Sequence, residues 1–306
     1  MEENKAYYSR MCGKLLGDGC ITKQANRKPR FQFIHRAEDF GWSAYCYEQL
    51  NDFLPLSPPA YKKVIDPRLS RGFSECYTVQ SRTHDWITDL YHTWYPSGKK
   101  VVPFDFLNEF LNEEALSWWY QDDGHLKVTN GKMTKIILST DSFSAEENRQ
   151  LIALLFHKFR LQFTTDGQNR LILYDQLQII YFLQLTSPWM HDAMDRKAAV
   201  EMPLRPIAKR TTVYLPASIK ISKPTAEINE KLDKLNTLLC AEKKTVCQLT
   251  IFNIFQQVSG VAVETAAYQI VISEVHREVL AMIRQQTGLS VSQLVTYCFQ
   301  ETCDFD

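Results

Sequence analysis

Apolar positions along this chain fall into blocks of helical and strand-like spacing, and the order of the blocks repeats. One apolar run, Met11 to Leu16, closes on Gly17-Asp18-Gly19; a second, Leu116 to Gln121, closes on Asp122-Asp123-Gly124. Both read as helices. Each is followed by a polar loop and a run rich in aromatic or β-branched residues, Arg30–His35 and Lys132–Ser139, which read as strands. Helices with acidic starts come next. One begins near Glu38 and carries Trp42, Tyr45 and Leu50; the other begins at the capping box Ser144–Glu147 and carries Leu151, Leu154 and Leu155. Second strand pairs, marked by Glu75–Val79 and Arg170–Tyr174, precede helices with Trp86 and Leu90 and with Ile180, Phe182 and Leu183. The unit is helix, two strands, helix, two strands, helix, used twice. Units that cannot bury their own faces gain a core by pairing.

Composition narrows this picture. With 306 residues, 45% hydrophobic and 23% charged, the chain can bury a real core. Lys and Arg number 35, as do Asp and Glu, so any nucleic-acid contact must rest on local clusters rather than net charge. None of the eight cysteines forms a CxxC pair, which speaks against a zinc site or a disulfide framework. Free thiols in a reducing compartment are expected. No uncharged apolar stretch is long enough to span a membrane, and Met1–Lys5 is no signal segment. The expected location is intracellular, in the cytoplasm, at the nucleoid or in an organelle.

The matched acids carry the chemistry. Two helices that each end on an acid and a glycine can set two carboxylates side by side, and paired carboxylates hold Mg²⁺ against phosphate. Acids at helix C-termini meet the negative dipole end. Without metal they should repel and bind protons more readily.

Together the two motif copies, their flanks and Lys99-Lys100-Val-Val-Pro103 resemble the monomeric, two-repeat LAGLIDADG homing endonucleases of intron-encoded type, over about residues 5–205. The resemblance implies an α+β fold of two pseudo-symmetric αββαββα repeats, residues 1–104 and 105–209, with β-sheet saddles for DNA. It implies motif helices packed at a pseudo-twofold axis through small residues, here Cys12, Gly13 and Gly17 against Ser117. Trp118 stands where the motif often has Gly, so packing there should be asymmetric. Asp18 and Asp123 are the implied ligands of Mg²⁺ or another divalent cation, and Asp122 precedes the matching position. Lys100 and Lys197 match the lysines that approach each metal. Gln80 and Gln176 fall near positions that place waters, although strand-end polarity explains them equally well.

The same resemblance lays the strands in the major groove of double-stranded DNA. Candidate contacts in the first half are Lys23, Gln24, Asn26, Arg27, Lys28, Arg30 and Gln32, then Lys62, Lys63, Arg68 and Arg71; the second half offers Lys127, Lys132 and Lys135. Lys and Arg would meet phosphates or guanine, and Gln and Asn could read adenine.

Residues 210–306 have a different character, with no Trp after Trp189. Ser218–Ser222 is similar to Gln269–Ser273, a helix with Ile228 and Leu232 to one with His276 and Leu280, and Thr245–Leu249 to Ser290–Leu294. Strand, helix, turn, helix resembles tandem ribbon-helix-helix DNA-binding units. A mainly helical domain is expected, with Lys220 and Gln269 facing outward; a helical add-on that only packs on the nuclease or a partner is the alternative.

The combined expectation is a monomeric, Mg²⁺-dependent, site-specific double-strand DNA endonuclease. An intron maturase that binds RNA, or a DNA-binding regulator that has lost cleavage, stays open. Retained Asp18 and Asp123 favour cleavage.

Overall fold

The structure, a computed structural model, describes residues 2–238 and 264–300. These form two compact units. The first comprises residues 1–126, 136–172 and 185–198; the second comprises 127–135, 173–184 and 199–306.

The first unit opens with α1 (Glu2–Leu16), whose buried stripe includes Tyr7, Met11, Leu15 and also Lys14. A four-stranded antiparallel sheet follows, from β1 (Cys20–Thr22), β2 (Arg30–Arg36), β3 (Ala60–Ile65) and β4 (Phe73–Gln80), in the order β1-β2-β4-β3. In β2 the alternation turns Phe31, Phe33 and His35 to the core. Arg30, Gln32, Ile34 and Arg36 face the other way. Register adds Thr78 opposite Ile34, Gln80 opposite Gln32 and Lys62 opposite Cys76 to that face. Lys63, one residue on, belongs to the opposite face, where its ammonium lies 3.7 Å from the Phe73 ring centroid.

Helices α2 (Phe40–Asn51), α3 (Asp85–Trp94) and α4 (Phe104–Phe110) accompany this sheet. Aromatic rings pack between these elements: the Tyr7 ring lies 4.9 Å from Phe53 and 5.0 Å from Trp86. Next in the chain come α5 (Glu113–Asp123), β5 (Gly124–Thr129), β6 (Lys132–Leu138), α6 (Ala145–Phe159), β7 (Thr164–Thr165), β8 (Leu171–Leu173) and α7 (Gln176–Thr186). Their sheet, β5-β6-β8-β7, repeats the order of the first. Asn130 and Gly131, at φ 51° and 69°, make the tight turn between β5 and β6, and Ser144 and Glu147 form the expected capping box on α6.

In the second unit β9 (Arg210–Pro216) pairs antiparallel with β10 (Thr265–Val271) along seven residues, from Arg210 opposite Val271 to Pro216 opposite Thr265. Val213, Leu215 and Ile270 turn inward, and Thr212, Tyr214, Ala267 and Gln269 are exposed. Helices α8 (Pro224–Leu232), α9 (Glu274–Thr287) and α10 (Val291–Gln300) supply the core residues Ile228, Leu280, Ile283 and Leu294. The sequence-based expectation placed the first strand at 218–222. The strand lies at 210–216 instead, because Arg-Thr-Thr-Val-Tyr-Leu is β-branched and aromatic and fully buries Val213 and Leu215. Pro216 ends it, a turn from Ile219 N–H to the Pro216 carbonyl follows, and Lys220 is an exposed residue beyond that turn. Thr245–Leu249 lies outside the described residues.

Candidate active site

Helices α1 and α5 meet where side chains vanish. A Cβ on Gly13 would sit 2.6 Å from the Trp118 Cβ, and one on Gly17 would sit 2.5 Å from the Asp122 Cβ. Close approach therefore depends on Gly13 in α1 and on Gly17 in the turn just after it, and the asymmetry expected at Trp118 is present. Ser117 does not serve the crossing as expected; its hydroxyl donates to the Thr186 carbonyl at 3.1 Å.

The crossing brings Asp18 and Asp122 together. The Asp122 side chain is fully buried and accepts from the Lys14 ammonium at 2.9 and 2.8 Å, from Trp42 Nε1 at 2.8 Å and from the Asp18 backbone N–H at 3.2 Å. Burial works to raise its pKa, but the Lys14 charge and His35 override that and hold the carboxyl well below the usual range. His35 Nε2 lies 2.9 Å from Lys14 Nζ and 3.3 Å from Asp122 Oδ1, while Nδ1 lies 2.7 Å from Ser43 Oγ. Burial and the adjacent ammonium lower its pKa.

Asp18 and Asp123 are different. Desolvation against the packed motif ends, followed by the Asp122 charge, pushes Asp18 up to about 7 and Asp123 up to about 6, although the Asp18 side chain keeps a third of its surface exposed. Among the described residues neither carboxylate is paired with a Lys or Arg side chain. Asp18, His35 and Asp122 offer ligand atoms within 4.8 Å of one another. Both Asp122 oxygens are already committed to Lys14, so a divalent cation lodged among these three would face a fixed ammonium. Asp18 and Asp123 instead offer carboxylate oxygens that no Lys or Arg side chain occupies among the described residues, and hard oxygen donors of this kind fit Mg²⁺ or a similar ion.

Both expected lysines lie at the motif ends. Lys100 Nζ donates to the Gly19 carbonyl at 3.1 Å. Lys197 Nζ donates to the carbonyls of Tyr120, Gln121 and Asp122 at 3.3, 2.6 and 3.0 Å, closing the C-terminus of α5. Burial lowers both pKa values, that of Lys197 to about 8. A polar cleft of about 320 Å³ opens beside Asp18, Arg36, Gln121, His125 and Lys197. Arg196 and Asp39 form an ion pair at its wall, at 2.8 Å.

Lys23, Gln24, Asn26, Arg27 and Lys28 are exposed between β1 and β2, with Arg30 and Gln32 on the outer sheet face. Gln80 donates to Gln32 rather than standing free at the metal end. Arg68 is tied to Asp66 in the β3–β4 turn, and Arg71 is exposed there. Lys127 is exposed, Lys132 is half-buried, and the Lys135 ammonium lies 6.0 Å from the Tyr174 ring centroid. Sequence reasoning passed over Lys14, His35, Trp42 and Arg36. A lysine inside the apolar run Met11–Leu16 was the available signal, since a buried ammonium requires a buried acid.

Residues 8–188, more than half of the chain, match the LAGLIDADG DNA endonuclease family. The chain belongs to that family. It is 30% identical over 192 residues to an uncharacterized protein of Methanocaldococcus jannaschii, covering 58% of this chain and 67% of that one. It is 35% identical over 191 residues to the cytochrome b mRNA maturase bI2 of Debaryomyces hansenii, covering 58% and 68%. Among solved structures it resembles the homing endonuclease I-WcaI bound to its DNA recognition sequence, with a TM-score of 0.56 and 22% identity over 64% of this chain and 86% of that one. The fold is thus the mixed helix and antiparallel-sheet fold of LAGLIDADG homing endonucleases. Among the described residues no helix is long and apolar enough to cross a membrane.

Proposed function

We propose that the chain is a site-specific double-strand DNA endonuclease, acting as a monomer with Asp18 and Asp123 as ligands of Mg²⁺ or another divalent cation. One observation carries this reading: two carboxylates without a cationic partner, both with raised pKa, at the ends of two family motifs. A bound divalent cation would offset phosphate charge and supply an activated water. Lys100 and Lys197 hold positive charge beside the carboxylates and fix the motif ends through backbone carbonyls. Lys14 keeps Asp122 out of that chemistry by neutralising it in place.

Duplex DNA is the substrate this reading assigns, taken on the outer sheet face by Arg30, Gln32, Arg36 and Lys62 and on the exposed loop from Lys23 to Lys28. The likeness to a homing endonuclease bound to its DNA target supports that partner. The β9–β10 ribbon, with Thr212 and Gln269 outermost and paired, would add a second reading surface, since a two-stranded ribbon fits the major groove. Mobility of the genetic element that encodes the chain is the corresponding role. The likeness to a maturase favours one second reading, binding of intron RNA.

Cleavage of a randomised duplex library with Mg²⁺ tests the assignment, with Asp18→Asn and Asp123→Asn alongside. Discrete ends at one long motif, lost in both variants, are expected. Intact duplex together with tight binding of an intron RNA would replace the nuclease reading with the maturase one.

A further inference from the structure

The second unit holds a cavity of about 120 Å³ that the nuclease chemistry does not use. Three cations line it: Lys132 at the start of β6, Arg205 on the segment before β9, and Arg284 in the last turn of α9. No carboxylate lines it, and none of the three is in an ion pair among the described residues. A cation in the last turn of α9 offsets the dipole of that helix. One suffices for that purpose, and two more remain.

The fourth feature is Gln176, the first residue of α7. Both its Nε2 and its Oε1 are buried without a hydrogen-bond partner, and the residue lines the same cavity. Buried amides are almost always satisfied, so an orphaned one asks for a ligand. Its position also puts the positive end of the α7 dipole at the cavity. The walls are fixed. Gln285 Nε2 donates to the Met202 carbonyl, and a Cβ at Gly288 would meet Gln176 atoms at 2.8 to 2.9 Å.

We propose that this cavity binds a phosphate group, free in solution or borne on a nucleic-acid backbone. Charge sets the sign of the ligand, and three separate cations suit a group with several acceptor oxygens. Size sets the class: a cavity of about 150 Å³ just admits benzene, so this smaller one takes a tetrahedral oxyanion and no nucleoside. Gln176 Nε2 would donate to one of its oxygens. Only the backbone source rests on the DNA-binding reading above.

The test uses the full chain. Its thermal midpoint is followed in rising inorganic phosphate against sodium chloride of matched ionic strength. The midpoint should climb with phosphate as ligand binding to the native state requires. The climb should vanish in Arg284→Gln and in Gln176→Leu, and shrink in Arg205→Ala, whose exposed side chain has no folding role. A second arm measures duplex affinity against salt. If a backbone phosphate is the ligand, the slope of log K on log salt should fall by about 0.9 in Arg205→Ala. Phosphate binding with an unchanged slope identifies the free ion; a reduced slope identifies the backbone. An equal climb in chloride, or no climb together with an unchanged slope, would overturn the site. If the wild type binds no duplex, the DNA reading fails while the phosphate arm still decides the cavity.

Discussion

Replacing Lys14 by Met keeps the length and apolar stem of the side chain and deletes one buried charge. The Lys14 ammonium lies 2.8 and 2.9 Å from the two Asp122 oxygens, and both side chains are fully buried. At an effective dielectric near 20, one such contact is about 6 kcal/mol of gross attraction. Desolvation of the two ions offsets most of it, so the intact pair adds little over an apolar substitute. The single variant is a different case, because Asp122 is left buried and uncompensated. The expected loss is about 3–5 kcal/mol, a fall in Tm on the order of 10 °C. Asp122→Asn in the Lys14→Met background removes the stranded charge while keeping an acceptor for Trp42. It should recover most of the loss, with a coupling energy above about 2 kcal/mol. Guanidinium unfolding of wild type, both singles and the double closes the cycle. A Lys14→Met loss below about 1 kcal/mol, or strict additivity, would refute the reasoning from a buried, charge-neutralised Asp122.

Three further outcomes are expected. Gly17→Ala forces a Cβ to 2.5 Å from the Asp122 Cβ; the helices must part, costing about 1–3 kcal/mol, and cleavage rates should fall more than duplex affinity. Metal-free stability should decline as pH rises from about 4 to about 7. Native Asp18 and Asp123, pushed up to about 7 and about 6, bind more protons there than the unfolded chain. Thermal midpoints in chelator should show that decline, and added Mg²⁺ should raise the midpoint more at pH 8 than at pH 5. Arg36→Ala, an exposed change on the outer face of β2, should weaken duplex binding and lower its salt slope by about 0.9, with little change in the thermal midpoint because Asp39, which Arg36 approaches at 3.5 Å, keeps its closer ion pair with Arg196.

Much of the fold was legible because local signals agreed with one another. The Ser144 capping box, the alternation in Arg30–Arg36 and the doubled acid-glycine endings each report on their own few residues. What was not legible depends on partners far apart in sequence. Lys14 meets Asp122 across more than a hundred residues, and nothing near either one announces the other. The outward set of a sheet was readable only strand by strand, so Lys62 and Lys63 looked equivalent until pairing with β4 separated them. The strand at 210–216 was misplaced for a related reason: two neighbouring segments alternate well, and only the partner strand chooses between them.

The contacts at the motif crossing act as a lock and key between the two halves of the chain. Lys14 and Gly13 come from the first motif, Asp122 and Trp118 from the second. Two first halves would meet with two ammoniums and without the buried carboxylate of Asp122 that Lys14 pairs with. Two second halves would meet with two carboxylates, and with an indole where the crossing tolerates no side chain. Each half thus rejects its own copy and accepts the other, much as a buried polar residue dictates partners in a coiled coil. Expressed as separate polypeptides, the halves should assemble only as the unlike pair. Chimeras that exchange a half with a relative would have to carry Gly13, Lys14, Trp118 and Asp122 as one inherited set.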